Sequence, residues 1–428
     1  MNKWSLYFII FFSVFITVVT QAAQTQETST SISSNPAADT AVTGNGALQD
    51  YIEKTLDIKN NYGFRFGGML LGDANKLFSG GIPYAKHWTG DELFLFNVTL
   101  DTEKMGAWKD GLFGAQYLQL DAQQVNQQAG SIEGYNSIVA VNPIRRSELY
   151  QFWYRQELFD KKLIVRIGKS VPTIDFGNVI RPVPLTLSKD MPSLTGLIYT
   201  PIFINSSQLG VTPGYYNSAY GVTVNFVPVK SWYLRYGVYD GNLARGIQTG
   251  LKVWPTLNGS YFHIAETSAA WLLKQNSYPG KIGVGGWYED GLVRSGTLKE
   301  KNTSGVYFFG SQRLWYKYSE NDFRGISGFY QYGINFSNVL PVNQYVGGGL
   351  TAFGLIPKRD VDSMGVGASL GWLNKRNFSR ATELMYQAYY QAQIMNGFYI
   401  EPAATYIPTP GAGTPAAWTG TLRALLLF

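Results

Sequence analysis

Residues Ala219–Gly241 read AYGVTVNFVPVKSWYLRYGVYDG. Tyr220, Val222, Val224 and Phe226 share one face of the first arm, and Gly221, Thr223 and Asn225 take the other. Pro228-Val229-Lys230-Ser231 breaks the run. Trp232, Leu234, Tyr236 and Val238 then resume it against Tyr233, Arg235, Gly237 and Tyr239. Strict period two on both sides of a short proline-bearing break predicts a β-hairpin. Each arm is about nine residues, the length at which a tilted strand crosses a bilayer. One face is apolar and the other small, polar or cationic. A soluble sandwich and a membrane barrel both produce that alternation, so the rest of the chain has to say which solvent meets the apolar face.

The amino terminus bears on this. Lys3 is followed by an apolar run, Leu6 to Val19, and by Thr20-Gln21-Ala22, which suits cleavage. The expectation is a secretory signal peptide over residues 1–22, set aside for the fold. Residues 23–46 are rich in Ser, Thr, Gln and Ala, too polar to bury a core, and read as a disordered leader. Leu48, Tyr51, Ile52, Thr55 and Leu56 recur at helical spacing and predict a short periplasmic helix within 47–60. No later run reaches about 18 apolar residues, so no further transmembrane helix is expected. The chain has no Cys, which rules out disulfide stapling. Its net charge of +6 is spread without a Lys/Arg run, so there is no nucleic-acid footprint. With 47 Gly, 29 Tyr and 11 Trp, the composition suits many short strands bordered by aromatic belts.

From Phe64 to Phe428 the chain divides into about sixteen strands with no αβ alternation. Connections after even strands are short at Phe159-Asp160-Lys161, Pro228 to Ser231 and Pro357 to Asp362. Connections after odd strands are long at 72–91, 122–147, 171–218, 241–259 and 289–304. Short inner turns and long outer loops, with both termini inside, are the topology of an even-stranded outer-membrane barrel. A terminal Phe428 with Leu426, Ala424 and Leu422 alternating behind it resembles the closing strand and assembly signal of such barrels, although Leu425 and Leu427 blur the alternation. The fold class expected is therefore all-β: a transmembrane antiparallel barrel over 64–428 in the outer membrane of a Gram-negative-type envelope.

Gly348–Gly367, GGLTAFGLIPKRDVDSMGVG, resembles a strand–turn–strand of the carbohydrate-selective porin (OprB) family. Pro213–Asn242, Leu100–Gly114, Leu158–Lys169, Pro279–Gly291 and Ile400–Gly411 are similar to further stretches of it, and the resemblance runs from about residue 60 to the carboxyl terminus. Two places depart from the family's pattern: the strand near Glu383 and the segment 171–218. The resemblance implies a monomeric or homotrimeric sixteen-stranded barrel that passes mono- or oligosaccharides down their gradient.

A neutral, hydroxyl-rich solute has to trade its water for many weak contacts and then leave. Aromatic faces and the hydrogen-bonding groups of Arg, Glu, Asn and Gln suit that task. Strand parity puts Gln151, Trp153, Arg155 and Glu157 on the lumen face, with Arg166 on the next strand and Tyr233 and Arg235 on the opening hairpin. Trp287, Arg313, Glu383 and Gln387 follow later. Water-filled lumens are lined with charge in any case, so a salt-bridged wall is the competing reading of each residue. The third outer connection, 171–218, is the longest, and Pro172, Pro182, Pro184, Pro192, Pro201 and Pro213 stiffen it. If it folds inward, Asp175, Arg181, Lys189, Asp190 and Tyr199 are its eyelet side chains; otherwise it caps the mouth.

No nucleophile elbow, Walker loop or paired-His metal motif appears, so no enzyme, cofactor or metal is expected. The one catalytic constellation considered is His263 with Ser260 or Ser268, in the manner of a membrane phospholipase. Two further readings stand beside the sugar channel: a porin for other small solutes, anions among them, and a plugged structural or adhesin barrel. Solutes, outer-membrane lipid and the barrel-assembly machinery, through Phe428, are the partners expected.

Overall fold

In the computed structural model the described residues are 47–58, 60–83, 86–139, 143–177, 196–199, 211–214, 217–229, 231–247, 254–257, 259–273, 278–318 and 322–428. The expected signal peptide and leader lie outside them, as do Arg181, Lys189 and Asp190. A helix, α1 (Ala47–Thr55), precedes sixteen strands: β1 (Phe64–Ser79), β2 (Trp88–Asp101), β3 (Gly111–Asp121), β4 (Arg145–Leu158), β5 (Leu163–Ser170), β6 (Ala219–Val229), β7 (Trp232–Asp240) and β8 (Tyr261–Leu273), then β9 (Tyr278–Ser295), β10 (Leu298–Tyr316), β11 (Gly325–Asn335), β12 (Val342–Phe353), β13 (Ser363–Leu373), β14 (Thr382–Met395), β15 (Phe398–Ile407) and β16 (Ala417–Leu427). Each strand pairs antiparallel with its neighbours in sequence, and β1 pairs with β16 to close the ring. Closure leaves no free sheet edge along the body of the wall, which is what a bilayer demands of strands.

The opening hairpin is β6–β7, and β6 runs through Pro228 and Val229, which the sequence pattern assigns to the break. Thr223, Asn225, Tyr233 and Arg235 are buried on the inside, while Phe226, Leu234 and Tyr236 are exposed on the outside. Asn225 pairs with Arg235 and Val224 with Tyr236, the register that the alternation requires. His263 lies on the outer face, where its Nδ1 meets the Tyr236 hydroxyl at 2.7 Å. Ser260 and Ser268 are buried at positions of the opposite parity, so the wall separates the histidine from both serines.

Two expectations need correcting. Residues 289–304 are not a long outer loop: β9 and β10 run on past the lipid belt and turn at residues 296–297. Glu289, Asp290, Arg294, Lys299, Glu300 and Lys301 put charge on both faces there, which erases the alternation without ending the ladder. Likewise β1 and β2 stay paired as far as Lys76 with Trp88, which shortens the loop expected at 72–91.

The inside of the ring is not uniformly polar. Met69, Leu71, Leu93, Leu95, Leu118, Leu120, Leu425 and Leu427 are buried on the inner faces of β1–β3 and β16. Val125 and Ala129 of the short helix α2 (Val125–Ala129), with Ile138, belong to the same cluster. The second outer loop therefore folds into the barrel. Withdrawing a leucine-sized side chain from water is worth about 2 kcal/mol, so apolar burial helps to hold this loop against the wall. It also explains why Leu425 and Leu427 interrupt the polar-in alternation of the last strand.

Candidate functional site in the lumen

The third loop leaves β5 through a short helix, α3 (Pro172–Asp175). Proline at its start has no N–H to leave unpaired there. Asp175, buried, forms an ion pair with Arg166 of β5, and its backbone carbonyl accepts from Arg235 of β7. Arg235 is fully buried, its guanidinium 5.6 Å from the Phe176 ring centroid and 4.8 Å from that of Tyr233. It stands opposite Glu266 of β8 in the ladder. Glu266 accepts from the Tyr233 hydroxyl at 2.5 Å, from the Tyr307 hydroxyl of β10 at 2.8 Å and from the Gly177 N–H. Two cations and two carboxylates thus balance in a buried patch, each with further polar or aromatic neighbours, the condition under which buried charge is tolerated.

Trp153 of β4 lies beside this patch, with the Arg166 guanidinium 5.7 Å from its ring. A Cβ on Gly114 of β3 would fall 2.3 Å from the indole, so only glycine lets the ring lie flat against the wall. Arg155 and Glu157 pair with each other at 3.0 Å and keep 15% and 14% of their side chains exposed. Glu157 also meets Lys161 of the β4–β5 turn at 3.3 Å, which places this pair toward the turn end of the barrel.

The loop touches a second wall at residues 196–199. Gln387 of β14 accepts from the Ile198 N–H at 2.6 Å and the Tyr199 N–H at 3.1 Å through one oxygen. Its amide nitrogen donates to the Tyr135 carbonyl of the second loop at 3.1 Å and to the Thr405 hydroxyl of β15 at 2.8 Å. Every hydrogen-bonding site of this side chain is used. In the closed ring, β14 lies half a circuit from β6, so the two anchor points of the third loop face each other across the lumen.

Glu383, four residues earlier on β14, holds the second loop. Its carboxylate accepts from the Ser131 hydroxyl at 2.7 Å and from the backbone N–H groups of Ile132, Glu133 and Gly411 at 2.8, 2.8 and 2.5 Å. Gly130 and Gly134 flank this segment at φ +72° and +84°. Left-handed turns of this kind let successive N–H groups converge on one anion. Glu133 enters the same space and accepts from Ser369 of β13. Burial, and then the neighbouring Glu383 carboxylate, push the Glu133 carboxyl well above the usual carboxylate range. Asn136 ties the loop to β1 by donating to Asp73 at 2.8 Å and Asn75 at 3.1 Å, and Arg423 of β16 grips Asp73 with two 2.8 Å hydrogen bonds.

The sequence-predicted residues thus fall into separate groups. Trp153, Arg166, Tyr233, Arg235 and Asp175 come together at the root of the third loop, and Tyr199 lies at its far contact. Glu383 is fully buried and committed to the second loop. Arg313 lies apart near the end of β10, bonded to the Phe323 carbonyl and, at 3.3 Å, to the Ser327 hydroxyl. Trp287 belongs to a row of rings with Phe262 and Tyr239, at centroid spacings of 6.1 and 6.4 Å. Sequence reading missed Ser131, Glu133, Asn136, Glu266 and Tyr307. For the first three, the paired glycines in Gly130-Ser131-Ile132-Glu133-Gly134 were the available signal.

A family model described as carbohydrate-selective porin, OprB family, matches residues 89–428. Among solved structures, the high-pH structure of Pseudomonas putida OprB aligns with a TM-score of 0.73 at 17% identity, covering 89% of this chain and 97% of that one. The low-pH structure of Pseudomonas putida OprB gives a TM-score of 0.55 at 15% identity over 91% of this chain and 100% of that one. Identities this low speak for the fold alone. No curated protein sequence matches the chain. The family model, which spans well over half of the residues, carries the assignment: the chain belongs to the OprB family of carbohydrate-selective porins.

Proposed function

We propose that, in the outer-membrane sugar channel this family membership describes, Arg155 and Glu157 touch the passing solute while Arg166, Tyr233, Arg235 and Tyr199 fix the loop that narrows its path. The observation carrying this division is exposure. The Arg155–Glu157 pair keeps a water-facing edge, whereas Arg235 has none. A pair that keeps a solvent-facing edge exchanges partners with sugar hydroxyls at lower cost than a sealed one, which gives the weak, reversible contacts that passage requires. A buried arginine bonded to the Asp175 carbonyl acts instead through the loop.

Bilayer recordings with sugar added test the division. Arg155→Ala is expected to weaken sugar-induced block several-fold with open-channel conductance nearly unchanged, because loss of one partly exposed ion pair costs about 1 kcal/mol or less in stability. Arg235→Ala is expected to change conductance itself. If both variants move both quantities alike, Arg155 has no separate contact role. Strong anion selectivity with no sugar block would favour the general small-solute reading. We further propose cleavage of residues 1–22 on export, with 23–46 as a spacer. Phe428, whose ring stacks 6.2 Å from Phe94 on the outer face, serves as the assembly handle. The barrel works as a monomer or a homotrimer.

A further inference from the structure

The wall has a notch where its ends meet. β1 pairs with β2 from Phe64 onward, but with β16 only from Met69. Phe428 adds one more step, with Gly68 donating to its carbonyl at 2.9 Å and accepting from its N–H at 3.1 Å. Below that step β16 supplies no partner for Phe64–Gly67. Unpaired strand edges beside lipid are costly. Gln49 of α1 fills the gap. Its amide nitrogen donates to the Phe64 carbonyl at 3.0 Å, and its oxygen accepts from the Phe66 N–H at 2.9 Å. A primary amide presents one C=O and one N–H as a peptide group does, so this side chain continues the ladder. Glu53 accepts from Gln49 and, at 3.0 Å, from Asn61, which steadies the amide.

This docking leaves an apolar stripe uncovered. Leu48, Tyr51, Ile52, Thr55 and Leu56 share one helical face, with Asp50 and Lys54 opposite. Leu48, Tyr51 and Leu56 are 38, 67 and 66% exposed, and Tyr62 beyond them is 64% exposed. Gln49 docks the helix on the backbone of Phe64 and Phe66, two residues whose side chains belong to the outer surface. Phe64 and Phe66 stand on the outer face of β1 with rings 6.0 Å apart, and Phe66 is 6.1 Å from Phe96 of β2. We propose that α1 lies along the inner-leaflet surface of the outer membrane, its apolar stripe at the headgroup–acyl boundary, and that Gln49 pins it over the β1–β16 seam. Continuity with the lipid belt selects lipid as the occupant, and apolar faces of this kind bind bilayer interfaces.

The absence of native cysteine makes site labelling clean. In proteoliposomes, Tyr51→Cys and Leu56→Cys carrying an environment-sensitive fluorophore are expected to be quenched by brominated phospholipid and shielded from iodide. Asp50→Cys is expected to show the reverse. Equal iodide access at all three sites overturns the proposal, as does shielding at Tyr51 and Leu56 without lipid quenching, which would mean a protein partner. Adding Gln49→Leu to the Tyr51→Cys variant is expected to reduce lipid quenching at least two-fold. Unchanged quenching would overturn the pinning role, and retained heat-modifiable mobility on gels shows that the barrel itself has folded.

Discussion

The third outer loop is held at two of its described segments, the root at 171–177 and the mid-loop contact at 196–199, by different chemistry. Where it leaves β5, Asp175 and the Phe176 ring sit among Arg166, Arg235 and Glu266, a buried and charge-balanced patch. Where it reaches the opposite wall, one neutral glutamine receives two backbone N–H groups. A charged anchor is rigid but unforgiving, because removing one ion strands its partner in a poor solvent. A neutral anchor yields in smaller steps, since each net hydrogen bond is worth about 1 kcal/mol. The root should therefore govern whether the loop stays inside, and the far contact should tune where it rests.

Substituting at each anchor tests this contrast. Asp175→Asn is expected to have the largest effect, about 3 kcal/mol against the docked loop, read as noisy, enlarged single-channel conductance and new protease sites in the third loop. Quiet channels of wild-type size would refute the ionic root. Glu383→Gln should come next, because hydrogen bonds to a charged acceptor are worth about 1.5 to 3 kcal/mol and several converge here. Loosening confined to the second loop, seen as faster amide exchange in residues 125–139, is the expected signature. Gln387→Leu should be milder, shifting conductance and sugar block by less than Asp175→Asn. A Gln387→Leu effect equal to that of Asp175→Asn would erase the distinction between the two anchors.

The smallest effect expected is one of pH. The Glu133 carboxyl is raised in the docked loop by burial and by Glu383, so docking binds a proton that the free loop, with a pKa near 4.5, does not. The contribution is complete below 4.5 and is lost as pH rises through the elevated value. Flicker of the second loop should accordingly increase with pH above 4.5, and Glu133→Gln should flatten that dependence. Flicker that grows on acidification would contradict the sign.

Much of this barrel was legible before the structure. Thr223, Asn225, Tyr233 and Arg235 face inward because period two is a local property of an extended chain, and the presence of two unlike solvents writes it into side-chain polarity. Strand ends were harder. At Glu289–Lys301 charged side chains fall on both faces, so the paired backbone continues with no pattern to mark it. The lumen site was legible only as a set of wall positions. Arg155 and Arg235 have the same parity and the same chemistry in the sequence, yet one keeps a solvent edge and the other lies sealed beneath Phe176.

The sequence by itself determined the cysteine-free character, the number of strands, their inner and outer faces and the family, because each rests on residues near one another along the chain. Only the tertiary structure decided what the inner side chains do. Glu383 meets Ser131 across 252 positions, and Gln387 meets Ile198 across 189. No local pattern encodes such pairs. They exist because a closed ring brings distant strands face to face, and because the polar backbone of the inward loops takes partners from that wall.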